Sequence, residues 1–272
     1  MIEILKMIIL GIVQGITEFL PISSSGHLIV FENLLGLEEP GLFVAQMLHF
    51  GTFLSVFIVF WKDIKNIIIE FFKMIISIFK REKFSLNGTQ KMGLNIIIAS
   101  IPTAIIAFGF EDSFKAYYEN LKFVAIMFLV TAFLLFIIDK GKKGHKSSES
   151  LSYFGAFAIG SVQGIALLPG ISRSGSTIFA GSQLGLKKSE AARFSFLMSL
   201  PATFGAFIFG IKDVVVAGEA ISFSFPLIIG MAVAAVVGIV SIKFLINLLN
   251  KNKMSYFSIY LVIIALITFI MG

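Results

Sequence analysis

Residues 4–37 read ILKMIILGIVQGITEFLPISSSGHLIVFENLLGL, and the fold turns on how the middle of that stretch is read. An apolar run from Ile4 to Leu20 meets Pro21 and the polar run Ser23 to His27, then resumes from Leu28 to Leu37. A second stretch does the same. Leu151 to Leu168 is apolar, Pro169 to Gly175 (P-G-I-S-R-S-G) interrupts it, and an apolar run continues through Leu186. Non-helical polar backbone at membrane depth is tolerated only where protein or a water-filled cavity surrounds it. Both stretches are therefore expected to be re-entrant hairpins, 4–37 and 151–186, each dipping into a bilayer and returning to the same side.

Composition puts the rest of the chain in a bilayer as well. Of 272 residues, 57% are hydrophobic and 14% charged, against roughly 45–50% and 25% in soluble domains. Mean hydropathy is +0.95, and 31 residues are Phe. This excludes a disordered chain. The lack of any cysteine excludes disulfide scaffolds, cysteine zinc sites and thiol chemistry. A net charge of +6 would suit nucleic acid in a soluble protein, but in a membrane protein surplus lysine marks the cytoplasmic face, so no nucleic-acid partner is expected. No cleavable signal peptide is expected either, because the apolar start runs straight into a polar motif.

Six uncharged runs are close to the ~20 residues a spanning helix needs: Leu42–Phe60, Leu94–Phe110, Phe123–Ile138, Phe194–Ile211, Pro226–Ile242 and Met254–Gly272. With flanking residues the third and fifth become spans 121–138 and 226–246. The two hairpin regions resemble each other. Val13 to Ile16 (V-Q-G-I) recurs at Val162 to Ile165, and the same offset aligns Ser23, Ser25 and Gly26 with Ser172, Ser174 and Gly175. Each half then reads hairpin plus three spans, residues 1–138 and 151–272 about a linker at 139–150. A hairpin keeps the side and three spans reverse it, so the halves must be oppositely oriented, as in many transporters. The expected fold is an all-α integral membrane protein with an inverted-topology repeat.

Basic residues orient it. With the N-terminus on one side, the other receives Lys62, Lys65, Lys73, Lys80, Arg81, Lys83, Lys91, Lys140, Lys142, Lys143, Lys146, Lys187, Lys188, Arg193, Lys251 and Lys253, against only Lys6, Lys115, Lys122 and Lys212. The richer side is the cytoplasm. Both termini and the mouth of the first hairpin are expected outside. In the 61–92 connection, Asn66, Glu70, Lys73, Ser77 and Lys80 form a polar stripe among Ile, Phe and Met, which predicts an interfacial amphipathic helix over 64–79.

Charge inside a membrane is costly, at roughly 2.5–3.5 kcal/mol per residue even on insertion scales. Glu18, His27 and Arg173 nevertheless sit in or beside the broken segments. Snorkelling, or a structural Glu18–Arg173 pair joining the hairpins, would account for them cheaply. Their neighbours suggest more. Ser23, Ser24, Ser25 and Gly26 precede one short apolar helix, and Ser174, Gly175, Ser176 and Thr177 another. Helix N-termini expose unpaired N–H groups and bind anions. Serine capping alone is commonplace. Two such ends meeting with Arg173 between them suit a phosphate or diphosphate, because arginine donates two parallel hydrogen bonds. Glu18 beside a phosphate needs a proton or a divalent cation, and Mg²⁺ or Ca²⁺ takes carboxylate and phosphate oxygens together. His27 is a candidate acid, base or nucleophile. His49, within a clean span, reads as a packing histidine or a supporting group, and His145 as solvated. Neither a Walker loop nor a nucleophile elbow is present.

Gln14–His27 (Q-G-I-T-E-F-L-P-I-S-S-S-G-H) and Leu168–Gly175 (L-P-G-I-S-R-S-G), with Ala191–Phe196 (A-A-R-F-S-F), resemble the undecaprenyl-diphosphate phosphatase, or bacitracin-resistance, family over essentially the whole chain. The resemblance implies a membrane hydrolase that removes one phosphate from undecaprenyl (polyprenyl) diphosphate with a divalent metal, recycling the lipid carrier of cell-wall synthesis. Glu18 resembles the family's acidic metal-binding residue, Ser24 and His27 its catalytic serine and histidine, and Arg173 its diphosphate-binding arginine. Ser23, Ser25, Gly26, Ser172, Ser174, Gly175 and Thr177 fall at positions expected to bind the diphosphate. The family motif often has acids at both ends of E-x-x-x-E, whereas this chain has Gln14 opposite Glu18; Gln14 can ligate a metal through its carbonyl but adds no charge. The implied partners are the polyprenyl diphosphate and membrane lipids, with a homodimer left open, and the implied location is the plasma membrane with a site opening outward. The residues by themselves leave Ser24, His27 or an activated water as the nucleophile. They also leave open a transporter or flippase of polyprenyl phosphate or another anion on the same repeat.

Overall fold

The computed structural model describes residues 2–36, 42–81, 85–118, 120–141, 144–216, 223–251 and 254–272. Leu37, the expected end of the first hairpin, and Lys83, Lys142, Lys143 and Lys253 lie outside the described residues. Among those described, twelve α-helices and one short 3₁₀ turn make up the chain: α1 Ile2–Thr17, α2 Ser24–Leu34, α3 Leu42–Val59, α4 Trp61–Phe79, α5 Gly88–Gly109, α6 Glu111–Tyr118, α7 Leu121–Lys140, α8 Tyr153–Ile165, α9 Arg173–Gln183, α10 Lys188–Val216, α11 Phe225–Asn250 and α12 Ser255–Met271. Four of them, α5, α7, α10 and α11, are by themselves long and apolar enough to cross a membrane. A fifth span arises if α3 and α4 are one span bent by 77°, and α12 is a shorter apolar helix. All six expected spans are helical. Four of them, α5, α7, α10 and α11, run further than their uncharged cores, because a lysine such as Lys243 ends an apolar run without ending a helix, lysine being a good helix former.

Helix starts follow ordinary capping chemistry. Asn87 and Gln90 form a reciprocal capping box at α5, Asn120 accepts from the Phe123 N–H at α7, and Ser224 caps α11 ahead of Pro226. The polar stripe of α4 is helical as expected. Its other face leaves Trp61, Ile69, Phe72, Ile76 and Phe79 exposed, so the helix is amphipathic.

Burial is inverted relative to a soluble protein. Val236, Val240, Ile263, Leu266 and Ile270 on α11 and α12 face outward, while Gln14, Thr52, Ser55, Asn95 and Gln163 are buried. Lipid in place of water makes that order favourable, because polar groups must find partners inside. Asn95 donates to the Leu151 carbonyl, Ser55 to that of Ala235 and Ser258 to that of Ala132, so hydroxyls and amides tie helix to helix.

Both interrupted stretches are hairpins. In the first, α1 ends at Thr17 and α2 starts at Ser24; in the second, α8 ends at Ile165 and α9 starts at Arg173. Shifted by the offset that aligns Gln14 with Gln163, α2 falls on α9 residue for residue. Packing follows the same correspondence. α1 lies against α11, and its counterpart α8 lies against α5, with backbones close enough that a Cβ on Gly11 or Gly160 would strike a carbonyl of the facing helix. The tips touch reciprocally: a Cβ on Gly26 would stand 3.1 Å from Gly170, and one on Gly175 3.1 Å from Pro21.

Candidate active site

Where the hairpin tips meet, each second helix is capped by the serine before it. Ser172 Oγ accepts from the Gly175 N–H at 3.1 Å, and Ser23 Oγ from the Gly26 N–H at 3.4 Å. The first-turn N–H groups that remain, those of Ser24 and Ser25 and of Arg173 and Ser174, have no partner within their helices. Ser23 is held at a φ of 71°, a region costly for a residue with a Cβ and populated mainly where surroundings enforce it. His27 supplies the enforcement. Its Nδ1 is 2.8 Å from the Ser23 carbonyl and its Nε2 2.8 Å from the Tyr260 hydroxyl, with the imidazole stacked on Tyr260 and edge-on to Phe128.

A cavity of about 210 Å³ opens beside these tips. Glu18, Ser23, Ser24, Ser25, Ser172 and Arg173 all line it. The site residues expected from the sequence thus divide. Those six converge on the cavity, whereas Gln14, Gly26, His27, Ser174, Gly175 and Thr177 do not line it. Ser174 Oγ reaches Ser172 Oγ and the Leu20 carbonyl, and Thr177 Oγ1 lies 2.6 Å from Ser195 Oγ, so both brace the tip from behind.

Glu18 is the electrostatic centre. Its Oε1 is ion-paired with the Arg173 guanidinium. Its Oε2 accepts from Ser24 Oγ at 2.6 Å and from Gln14 Nε2 at 3.0 Å, and lies 3.0 Å from His49 Nδ1. A buried carboxylate is tolerable only with such company. Arg173 also donates to Thr203 Oγ1 at 3.0 Å, so two of a guanidinium's five N–H groups are engaged and others remain for a ligand. Sequence reasoning missed Thr203, Tyr118 and Tyr260. Each is a lone polar group in an apolar or unpatterned stretch, and only the approach of α10, α6 and α12 gives it a partner or a place on the wall. His49, expected as packing or support, is in the cluster and on the cavity wall.

Among the described residues no three His, Asp or Glu side chains converge as a metal site. The donor chemistry still suits a divalent cation shared with a phosphate ligand. One carboxylate, one imidazole and an amide lie together, and Gln14 Oε1 is buried without a hydrogen-bond partner.

These features define a class: a multi-pass membrane protein with a buried, hydroxyl-lined cavity where two capped helix ends, an arginine and a carboxylate meet. The chain belongs to the BacA family. The profile described as bacitracin resistance protein BacA matches residues 7–267. Relatives named undecaprenyl-diphosphatase include one from Halothermothrix orenii, 41% identical over 99% of this chain and 98% of its own. Another, from Alkaliphilus metalliredigens, is 44% identical over 94% of each chain, and one from Methanosphaera stadtmanae is 41% identical over 100% of this chain and 99% of its own.

Proposed function

We propose that this protein hydrolyses undecaprenyl diphosphate, or a similar polyprenyl diphosphate, to the monophosphate and phosphate, as its relatives' names state of them. The observation that carries this is the convergence of Arg173, two helix N-termini and the Ser24–Glu18 hydrogen bond on one cavity. Backbone N–H groups and a guanidinium aimed at the same space stabilise charge that develops on a transferring phosphoryl group. The cavity suits a diphosphate head, and the exposed apolar flanks of the helices suit the polyprenyl tail.

The geometry favours Ser24 as nucleophile. Its hydroxyl already donates to Glu18 Oε2, which holds Oγ in place, and its proton passes to a non-bridging phosphoryl oxygen as Oγ attacks the terminal phosphorus. The Oγ–P bond forms, the bridging P–O bond breaks, and the lipid monophosphate leaves with the bonding electrons. Water then attacks the phosphoserine: its oxygen and one hydrogen leave on phosphate as the Oγ–P bond breaks, and its other proton returns to Ser24 Oγ. Both ring nitrogens of His27 are engaged away from the cavity, which supports a positioning role: it holds the Ser23 turn and so aims the first helix end. A divalent cation, Mg²⁺ or Ca²⁺ in the expectation from the family, would be held by Glu18 with Gln14 and would neutralise diphosphate charge.

The two halves fit an inverted repeat of residues 1–138 and 151–272, and the basic-residue asymmetry places segment 111–120 outside. Tyr118, on that segment, lines the cavity, which supports a site opening to the outer face of the plasma membrane.

Purified protein given polyprenyl diphosphate should release one phosphate per lipid and leave the monophosphate. Ser24→Ala should fall to background while keeping its fold. Lipid moved between vesicle leaflets without phosphate release would overturn the hydrolase and favour a transporter. Normal turnover in Ser24→Ala would remove the serine from the chemistry.

A further inference from the structure

Three polar atoms beside the cavity do not satisfy one another as hydrogen-bond partners. Gln14 Nε2 lies 3.0 Å from Glu18 Oε2 and 2.8 Å from His49 Nδ1, and His49 Nδ1 lies 3.0 Å from Glu18 Oε2. Every edge of the triangle has hydrogen-bond length. If Gln14 donates along both its edges, two lone pairs face each other across the third. If His49 donates to Glu18 instead, an N–H of Gln14 faces an N–H of His49. Thr52 Oγ1, 3.2 Å from Gln14 Nε2, gives its own proton to the His49 carbonyl and does not relieve the conflict.

A cation relieves it. A side-chain amide can be turned over with almost no change of shape. Turning Gln14 would bring Oε1, now buried and unpartnered, to the shared corner. Three lone-pair atoms would then converge: a carboxylate oxygen, an amide oxygen and an imidazole nitrogen. Their spacing fits a small octahedral ion. Donors at right angles around an octahedral ion at about 2.0–2.1 Å stand roughly 2.8–3.0 Å apart, and around Ca²⁺, at about 2.3–2.6 Å, roughly 3.3–3.7 Å apart. The triangle measures 2.8, 3.0 and 3.0 Å. Arg173 occupies the other oxygen of Glu18, Ser24 shares Oε2, and two of the three residues, Glu18 and His49, line the cavity.

We propose that Gln14, Glu18 and His49 form one face of an octahedral site for a small divalent cation, with His49 as its nitrogen ligand and Mn²⁺ as the ion that reports it. That the open positions accept diphosphate oxygens rests on the phosphatase reading. His49 also gives the glutamine of Q-x-x-x-E a physical rationale. With an imidazole supplying the third donor, a second carboxylate is not needed to complete the face.

The test is pulsed electron paramagnetic resonance on tag-free wild-type protein loaded with Mn²⁺ in detergent. Nitrogen modulation from a bound imidazole is expected. His49→Gln should lose the modulation and bind Mn²⁺ more weakly, by on the order of 10- to 100-fold, since even groups that merely support a ligand are worth that much. Gln14→Glu should keep the modulation and bind more tightly. Bound Mn²⁺ without nitrogen modulation in wild type, modulation that survives in folded His49→Gln, or no Mn²⁺ binding would each overturn the proposal. The wild-type spectrum decides even if His49→Gln fails to fold. Nitrogen-ligated Mn²⁺ in a protein that releases no phosphate would sink the phosphatase and leave the metal site standing. Phosphate release without a nitrogen-ligated ion would do the reverse.

Discussion

Arg173 carries two duties that substitution can separate. It neutralises the buried Glu18 carboxylate, and its planar N–H fork faces the cavity between partners on α10 and the α1–α2 turn. Lysine keeps the charge but has no planar two-point geometry. Arg173→Lys should therefore melt close to wild type while phosphate release falls by roughly 10²-fold or more, as when a preorganised donor is removed from a developing oxyanion. Arg173→Ala removes one partner of a buried pair, a change worth about 3–5 kcal/mol, and should lose both turnover and melting temperature. Near-normal turnover in the lysine variant would make the pair structural only. That Glu18 and Arg173 would meet was legible in sequence, because charge in an apolar stretch is costly and needs a partner. The placement of His27 was not. A histidine next to a serine run reads as chemistry, and only its contacts with Ser23 and Tyr260, the latter far along the chain, show the ring turned from the cavity.

Helix against helix, the decisive residues are those without side chains. A Cβ on Gly160 would stand 2.0 Å from the Ala99 carbonyl oxygen, while one on Gly205, in the middle of α10, meets nothing within 4 Å. Gly160→Ala must force α8 from α5, and overpacking of this sort costs about 1–3 kcal/mol; it should lower the melting temperature in detergent and displace the second hairpin, lowering activity as well. Gly205→Ala relieves backbone entropy in a helix interior, worth roughly 0.5–1 kcal/mol, and should melt at or above wild type. Equal melting of the two variants would mean that α5 and α8 do not approach as described. In sequence these glycines look alike: each is a small residue in an apolar helix, and close packing is a fair expectation for both. Which one faces a backbone is a property of the partner helix.

Across the whole molecule, topology is the testable claim. Ser113 on α6 and Ser147 before the 3₁₀ turn are both exposed. In this cysteine-free chain, Ser113→Cys should be labelled by an impermeant reagent in intact cells and Ser147→Cys only after the membrane is opened. The reverse pattern would turn the protein over and put the cavity mouth inside. The cytoplasmic side proposed here also carries the ion-paired cluster of Arg193 with Asp63, Glu190 and Glu149, which fastens α4 to α10. Arg193 lies ten residues along α10 from Thr203, about 15 Å at the rise of a helix, so charge clusters occupy two separate levels of one long helix.

The sequence by itself determined the membrane class, the two interrupted helix pairs, the helices at the six apolar runs and the helix that carries the polar stripe. All of these rest on local properties: hydropathy, capping and the cost of placing charge or loose backbone in lipid. Tertiary structure decided which polar groups share a cavity. It brought Thr203 to Arg173, His49 and Gln14 to Glu18, and Tyr118 to the wall, and it turned His27 toward α12. The physical reason is that a partner is defined by distance in space, and residues as far apart as Glu18 and Arg173 meet only after α1 has found α11 and α8 has found α5.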